Sequence, residues 1–240
     1  MNKESECKLG IITFFAIAMG FLEAVVVVYL RRIYYSFGFD FPLKGFIEPE
    51  ILNIEWIREF ATVIMLLSVA ILAGKKFYEK FAYFLYAFAI WDIFYYISLK
   101  LTLNWPESIF TWDLLFLIPW PWIGPVLSPI LWSVLFVIFT LLVISFRDKK
   151  IKVKFSALEI TLFVLGVFIT LYTWLYDYGK LIIGGGYTKD FFTLTENSQF
   201  MQAITTYVPT NYNWPAFILG LALALTSLFL FYIRTKNQKR

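Results

Sequence analysis

Several charged side chains interrupt the apolar runs of this sequence, and they are the first candidates for chemistry. Glu23 and Asp92 lie deep inside such runs, and Arg58 with Glu59 opens another. Charge in an apolar environment costs free energy, so it indicates a functional or structural requirement. Paired carboxylates can act as general acid and base, and arginine can hold a phosphate bidentately. The candidate residues for a ligand pocket are Glu23, Arg31, Arg32, Arg58, Glu59, Asp92, Tyr96, Lys100 and Asp113.

Helical spacing groups some of these side chains. Asp92, Tyr96 and Lys100 follow one another at intervals of four residues, which places them along one side of a helix. Glu23 shares a helix face with small residues one and two turns before it. Small residues at this spacing favour close helix packing, so we expect Glu23 to point into a bundle and not toward lipid.

The residue types that are missing limit the chemistry. The chain has no histidine and a single cysteine, Cys7, in a polar segment near the N-terminus. These counts exclude bis-histidine haem, the usual zinc and non-haem iron sites and an internal disulfide. The sequence contains no G-x-S-x-G, H-E-x-x-H or D-x-x-D-type motif, so catalytic residues are not assigned. We expect no metal and no cofactor, with an apolar ligand such as a quinone or isoprenoid left open.

The composition indicates the kind of secondary structure that carries these candidate residues. Of 240 residues, 60% are apolar, 21% are aromatic and only 16% are charged. Soluble domains are about 45–50% apolar and about 25% charged. A soluble domain of this size has too little interior to bury so much apolar surface. The sequence therefore predicts an all-α, polytopic membrane helix bundle that forms a single domain over residues 1–240.

Six apolar runs are long enough to cross a bilayer, which takes about 20 residues of helix. A short apolar segment, 106–118, is predicted to form an additional interfacial or re-entrant helix, because it opens with proline and ends in a Pro/Trp turn. The Asn-Trp-Pro tripeptides at 104 and 213 are each predicted to open a helix. The predicted spans are 9–30, 56–74, 81–103, 125–146, 155–176 and 214–233.

Lysine and arginine are distributed unequally between the two sides of these spans, by roughly two to one. Because basic loops stay in the cytoplasm, we expect both termini to be cytoplasmic in a cell membrane, by default the inner membrane of a prokaryote. The net charge of +4 is then a consequence of topology. It does not indicate a nucleic-acid partner.

Three long loops lie on the opposite, non-cytoplasmic side, at 31–55, 104–124 and 177–213. They are aromatic and apolar, so we expect them to fold into a cap. Apart from Asp92 at mid-depth, the buried ionisable residues are predicted in the outer half of the bundle and none in the inner half; Glu159 is interpreted as interfacial. This pattern predicts a polar pocket that opens away from the cytoplasm.

The leading hypothesis is a pocket that binds or processes a lipid-like or small-molecule ligand. A non-catalytic subunit or assembly factor of a membrane complex is one alternative, and it would have membrane-protein partners. A proton- or cation-coupled transporter is another, because buried carboxylates can bind such ions. The structural alternative is that the charges hold helices together, or that Arg31, Arg32 and Lys100 extend to the interface.

Overall fold

The computed structural model describes residues 1–34, 41, 49–188 and 197–238. Within these ranges the chain forms seven α-helices and one two-stranded antiparallel sheet. In chain order the elements are α1 (Lys3–Tyr34), α2 (Pro49–Ala73), α3 (Phe77–Leu103), β1 (Trp112–Phe116), β2 (Trp122–Pro125), α4 (Leu127–Asp148), α5 (Ala157–Gly184), α6 (Ser198–Thr206) and α7 (Trp214–Asn237).

Six of the helices, all except α6, are long and apolar enough to cross a membrane. This confirms the prediction of an all-α, multi-pass bundle. Most helices extend past the predicted spans: α1 begins at Lys3, and α5 continues to Gly184. Hydropathy marks the edge of the hydrocarbon, whereas backbone hydrogen bonding continues into the polar residues beyond it.

Helix α3 lies at the centre of the bundle and packs against α1, α2 and α4, while α5 packs against α7. Glycine residues allow two of these helix pairs, α1 with α3 and α5 with α7, to pack closely. A Cβ atom at Gly20 of α1 would lie 2.6 Å from the carbonyl oxygen of Trp91, and one at Gly166 would lie 2.5 Å from that of Gly220. The close packing predicted for the face of α1 that carries Glu23 is therefore confirmed.

The predicted short helix at 106–118 is wrong. Residues 112–116 form β1, which pairs with β2 through Asp113 opposite Gly124 and Leu114 opposite Ile123. A short apolar run does not distinguish helix from strand, and aromatic residues favour strands. Pairing with β2 also satisfies backbone polar groups next to the apolar bundle.

The two Asn-Trp-Pro tripeptides differ in role. Asn213 opens α7 as predicted, since its side chain accepts a hydrogen bond from the Ala216 amide (3.2 Å). Asn104 instead ends α3: it adopts a left-handed conformation (φ 52°), and its N–H donates to the Lys100 carbonyl (3.1 Å). Asparagine tolerates this conformation, so the same residue type suits either end of a helix.

The predicted cap is described only in part. The described portion of the middle loop forms the β1–β2 hairpin, which packs against α5 and α4, and α6 lies in the last loop. Residues 35–40, 42–48 and 189–196 of the predicted cap lie outside the described residues. We call the end of the bundle that carries β1 and β2 the hairpin end. We call the opposite end, where α1 begins and α7 ends, the terminus end.

Candidate functional site

A small cavity of about 90 Å³ lies between α1, α2, α3 and the hairpin, toward the hairpin end of the bundle. Several predicted site residues from three helices line it together: Glu23, Arg58, Glu59, Asp92 and Tyr96. We call this space the charged cavity. The grouping follows from the helical register, because these residues lie at similar depths on neighbouring helices.

Arg58 is the cation of the charged cavity, and its guanidinium group donates hydrogen bonds to two glutamates. It donates to Glu23 of α1 and, through Nε and Nη2, to Oε2 of Glu55 at 2.9 and 2.6 Å. Thr62 lies 3.5 Å from the second oxygen of Glu23. Because its donors already face carboxylates, Arg58 is poorly placed to hold a phosphate. Sequence reasoning missed Glu55, although its i, i+3 spacing to Arg58 was a signal.

Glu59 connects α2 to the hairpin. Its Oε2 atom accepts a hydrogen bond from the Leu117 amide (2.9 Å), one residue beyond β1. The residue is buried and lines the charged cavity. Among the described side chains, no cation forms an ion pair with Glu59.

Asp92 lies near the middle of α3 and is 8% exposed. Its Oδ2 atom accepts a hydrogen bond from the Ser133 hydroxyl of α4 (2.8 Å). Within the described ranges no lysine or arginine pairs with this carboxylate. The three residues predicted on one side of α3 therefore do not act together. Lys100 donates to the carbonyl oxygens of Asn104 (3.3 Å) and Pro106 (2.9 Å), away from Asp92.

Asp113 lies behind the charged cavity and does not line it. It is 1% exposed and accepts from the Tyr96 hydroxyl (2.8 Å) and from the Leu114 amide (2.8 Å). Burial is the main cause that raises the pKa of Asp113 to about 7. The two hydrogen bonds oppose this shift, and the nearby Asp92 carboxyl adds to it. Tyr96 thus links this carboxyl to the cavity wall.

The remaining predicted residues, Arg31 and Arg32, are in the last turn of α1. Arg31 is half-buried and Arg32 is exposed, and neither lines the charged cavity. The structure therefore does not bring these arginines or Lys100 to the carboxyl groups of the charged cavity.

A larger cavity of about 360 Å³ adjoins the charged cavity and shares with it the side chains of Trp91, Asp92, Leu115 and Phe116. Helices α2, α3, α4 and α5 and the hairpin form its walls, and we call it the aromatic cleft. The sequence left an apolar ligand open but did not locate a site for it. Its aromatic lining comprises Phe84, Phe88, Trp91, Phe116, Trp122, Trp132, Phe136 and Trp174.

Hydrogen bonds fix the large rings of the aromatic cleft. The Trp174 Nε1 group donates to Ser128 Oγ (2.9 Å), and the Trp132 Nε1 group donates to Thr170 Oγ1 (3.2 Å). Trp122 stacks on Trp174 with ring centroids 5.7 Å apart. With their polar atoms satisfied within the protein, these rings form an apolar wall of fixed shape.

Buried acids also occur at the terminus end, and there the prediction of an inner half without buried ionisable groups is wrong. Glu79 is 4% and Glu159 is 2% exposed. Arg147 lies 3.4 Å from Glu79, and Arg234 lies 2.7 Å from Glu159. Hydropathy placed both acids at span edges, but packing of the partner helices buries them. Glu159 thus has a structural partner within the bundle.

Comparison with protein-family models, with curated proteins and with solved structures finds no match to this chain.

Proposed function

We propose that this multi-pass membrane protein binds an amphiphilic ligand, with its apolar chain in the aromatic cleft and its polar head in the charged cavity. The observation that carries the proposal is the shared wall: Asp92 lines both an aromatic space of about 360 Å³ and a space lined by charged residues. Small-molecule sites typically measure about 300–1,000 Å³ and combine apolar walls with a few polar groups.

The walls of the cleft support entry from the bilayer. Val63 of α2 forms one side, and Val167 and Leu171 of α5 form another. Helix α2 packs mainly on α3, whereas α5 packs mainly on α7. The side chains of α3 between them, Phe84 and Phe88, stay partly exposed although α3 is the central helix. A lipid-soluble ligand fits a cleft that is bounded in this way.

The membrane and the orientation belong to the same proposal. The excess of lysine and arginine at the terminus end supports cytoplasmic termini in a cell membrane. The charged cavity then faces the non-cytoplasmic half of the bilayer. A ligand would enter from the outer leaflet, which is where its polar head group would lie.

The proposal is tested by filling the cleft. Purified protein in nanodiscs is titrated with a brominated dodecanol, which quenches nearby tryptophans. We expect a saturable component of quenching from Trp132 and Trp174. The variant Val167→Phe places a ring in the cleft and should weaken that component by about tenfold or more, equivalent to about 1.4 kcal/mol.

The matched control is Val164→Phe, one turn earlier on α5, where the side chain is 41% exposed on the outer surface of the bundle. It should leave the saturable component unchanged. Quenching without saturation, or an equal response of both variants, would contradict ligand binding in the aromatic cleft.

A further inference from the structure

We infer that the head group bound in the charged cavity is cationic, an ammonium on an apolar chain, with Asp92 as its counter-ion. This inference rests on the proposed amphiphile site and specifies its ligand class. It follows from the charge balance of the cavity, from the position of Asp92 and from the aromatic rings around it.

The charged cavity is acidic after its internal ion pairs are counted. Arg58 is its single cation among the described lining residues, and it already bridges Glu23 and Glu55. Glu59 and Asp92 add two further carboxyl groups without an ion-pair partner in the described part of the chain. An anionic head would meet like charge there, whereas a cation would meet opposite charge.

Asp92 is the group that most needs such a partner. Only 8% of the residue is exposed, and the Ser133 hydroxyl is the sole side chain among the described residues that hydrogen-bonds it. A buried carboxylate without compensating charge is costly. Glu59 differs, because the Leu117 amide anchors it to the hairpin. Asp92 also lies on the wall shared by both cavities, so a head group there leaves its chain in the aromatic cleft.

Aromatic rings line the same cavity. Trp91, Tyr95 and Tyr96 line the charged cavity beside Asp92. Trp91 and Tyr95 stack at 6.5 Å, and Tyr95 meets Tyr96 edge-on at 5.0 Å. Ring faces attract alkylammonium groups, and aromatic side chains recognise such groups in other proteins. A carboxylate among aromatic rings distinguishes an ammonium head from a phosphate or a neutral hydroxyl.

The test compares probes that share one chain length: dodecyltrimethylammonium, dodecanol and dodecyl phosphate. Each competes with the brominated dodecanol for the protein in nanodiscs of uncharged lipid, with empty nanodiscs to correct for partitioning. We expect the ammonium probe to bind at least about tenfold more tightly than dodecanol, and the phosphate to bind more weakly than dodecanol.

The variant Asp92→Asn should remove the preference for the ammonium probe while dodecanol still binds. The control Glu107→Gln, at an exposed loop position, should retain the preference. Equal affinities for ammonium and alcohol in the unsubstituted protein, or a preference for phosphate, would overturn the inference and leave the proposed site intact. If no probe saturates, the proposed function itself fails. The comparison in unsubstituted protein decides the question even if Asp92→Asn does not fold.

Discussion

The two ends of the bundle differ in whether every buried acid has a cation beside it: Arg58 pairs with two glutamates at the hairpin end, but two further acids there have no such partner among the described residues. At the terminus end, Glu79 and Glu159 each pair with an arginine from another helix. At the hairpin end, Glu59 and Asp92 contact only an amide and a hydroxyl among the described residues. Buried charge with a partner is a structural element, whereas buried charge without one identifies the place where a ligand can supply it.

Contacts at the terminus end also connect helices that are distant in sequence. Arg147 contacts Glu79 of α3, Ser5 of α1 and its neighbour Asp148. The amide of Asn2 donates to the same aspartate (2.9 Å). One arginine therefore holds α1, α3 and α4 together, so its removal should destabilise the fold.

Removing that arginine should produce the largest effect. Arg147→Met leaves Glu79 and Asp148 without their cation. Breaking a buried pair costs at most about 3–5 kcal/mol of unfolding free energy, and Arg147 itself is half-buried, so we expect a loss toward the lower end of this range. Unfolding in mixed detergent micelles measures the loss. Lys149→Met removes the same charge from an exposed position two residues away and should change stability by less than about 0.5 kcal/mol. Similar losses of unfolding free energy for the two variants would contradict a structural role for the paired acids at the terminus end.

The hairpin end should show a pH dependence that comes from Asp113. Its folded-state pKa of about 7 exceeds its ordinary value of 3.8 because burial disfavours the ionised form. Between these values the folded protein holds a proton that the unfolded chain has lost, so the contribution of Asp113 to stability falls as pH rises from about 4 to 7 and then levels off. A tenfold difference in proton affinity between the two states corresponds to about 1.4 kcal/mol of stability.

Thermal midpoints measured across this pH range test the prediction. Tyr95, Tyr96 and Asp92 are titratable neighbours of Asp113, so the matched variant is Asp113→Asn, which removes one titrating group and leaves these three in place. The slope should become shallower in that variant. An unchanged slope would mean that the pH dependence arises elsewhere.

Neutralising the unpaired acid should have the smallest effect, and its sign should be opposite to that of Arg147→Met. Asp92→Asn keeps an acceptor for Ser133 and removes a buried carboxylate that no described cation compensates. Unfolding free energy should rise by about 1–3 kcal/mol, within the cost of charge inside a membrane span. A loss of stability above about 1 kcal/mol would show that Asp92 has a structural partner like those of the terminus end.

Much of this architecture follows from the sequence because the bilayer imposes simple rules. Apolar length predicts the six helices, and depth along them brings Glu23, Arg58 and Asp92 to one cavity. The hairpin did not follow, since Trp112–Phe116 is too short a run to distinguish strand from helix. The aromatic cleft did not follow either, because it depends on how far α2 stands from α5, and this separation is a property of tertiary packing.

The most direct test of the central claim is an experimental density map of the protein in nanodiscs with dodecyltrimethylammonium. We expect density for the head beside Asp92 and for the chain between Trp132 and Trp174. Empty cavities, with density for the probe confined to the lipid-facing surface of the helices, would contradict it.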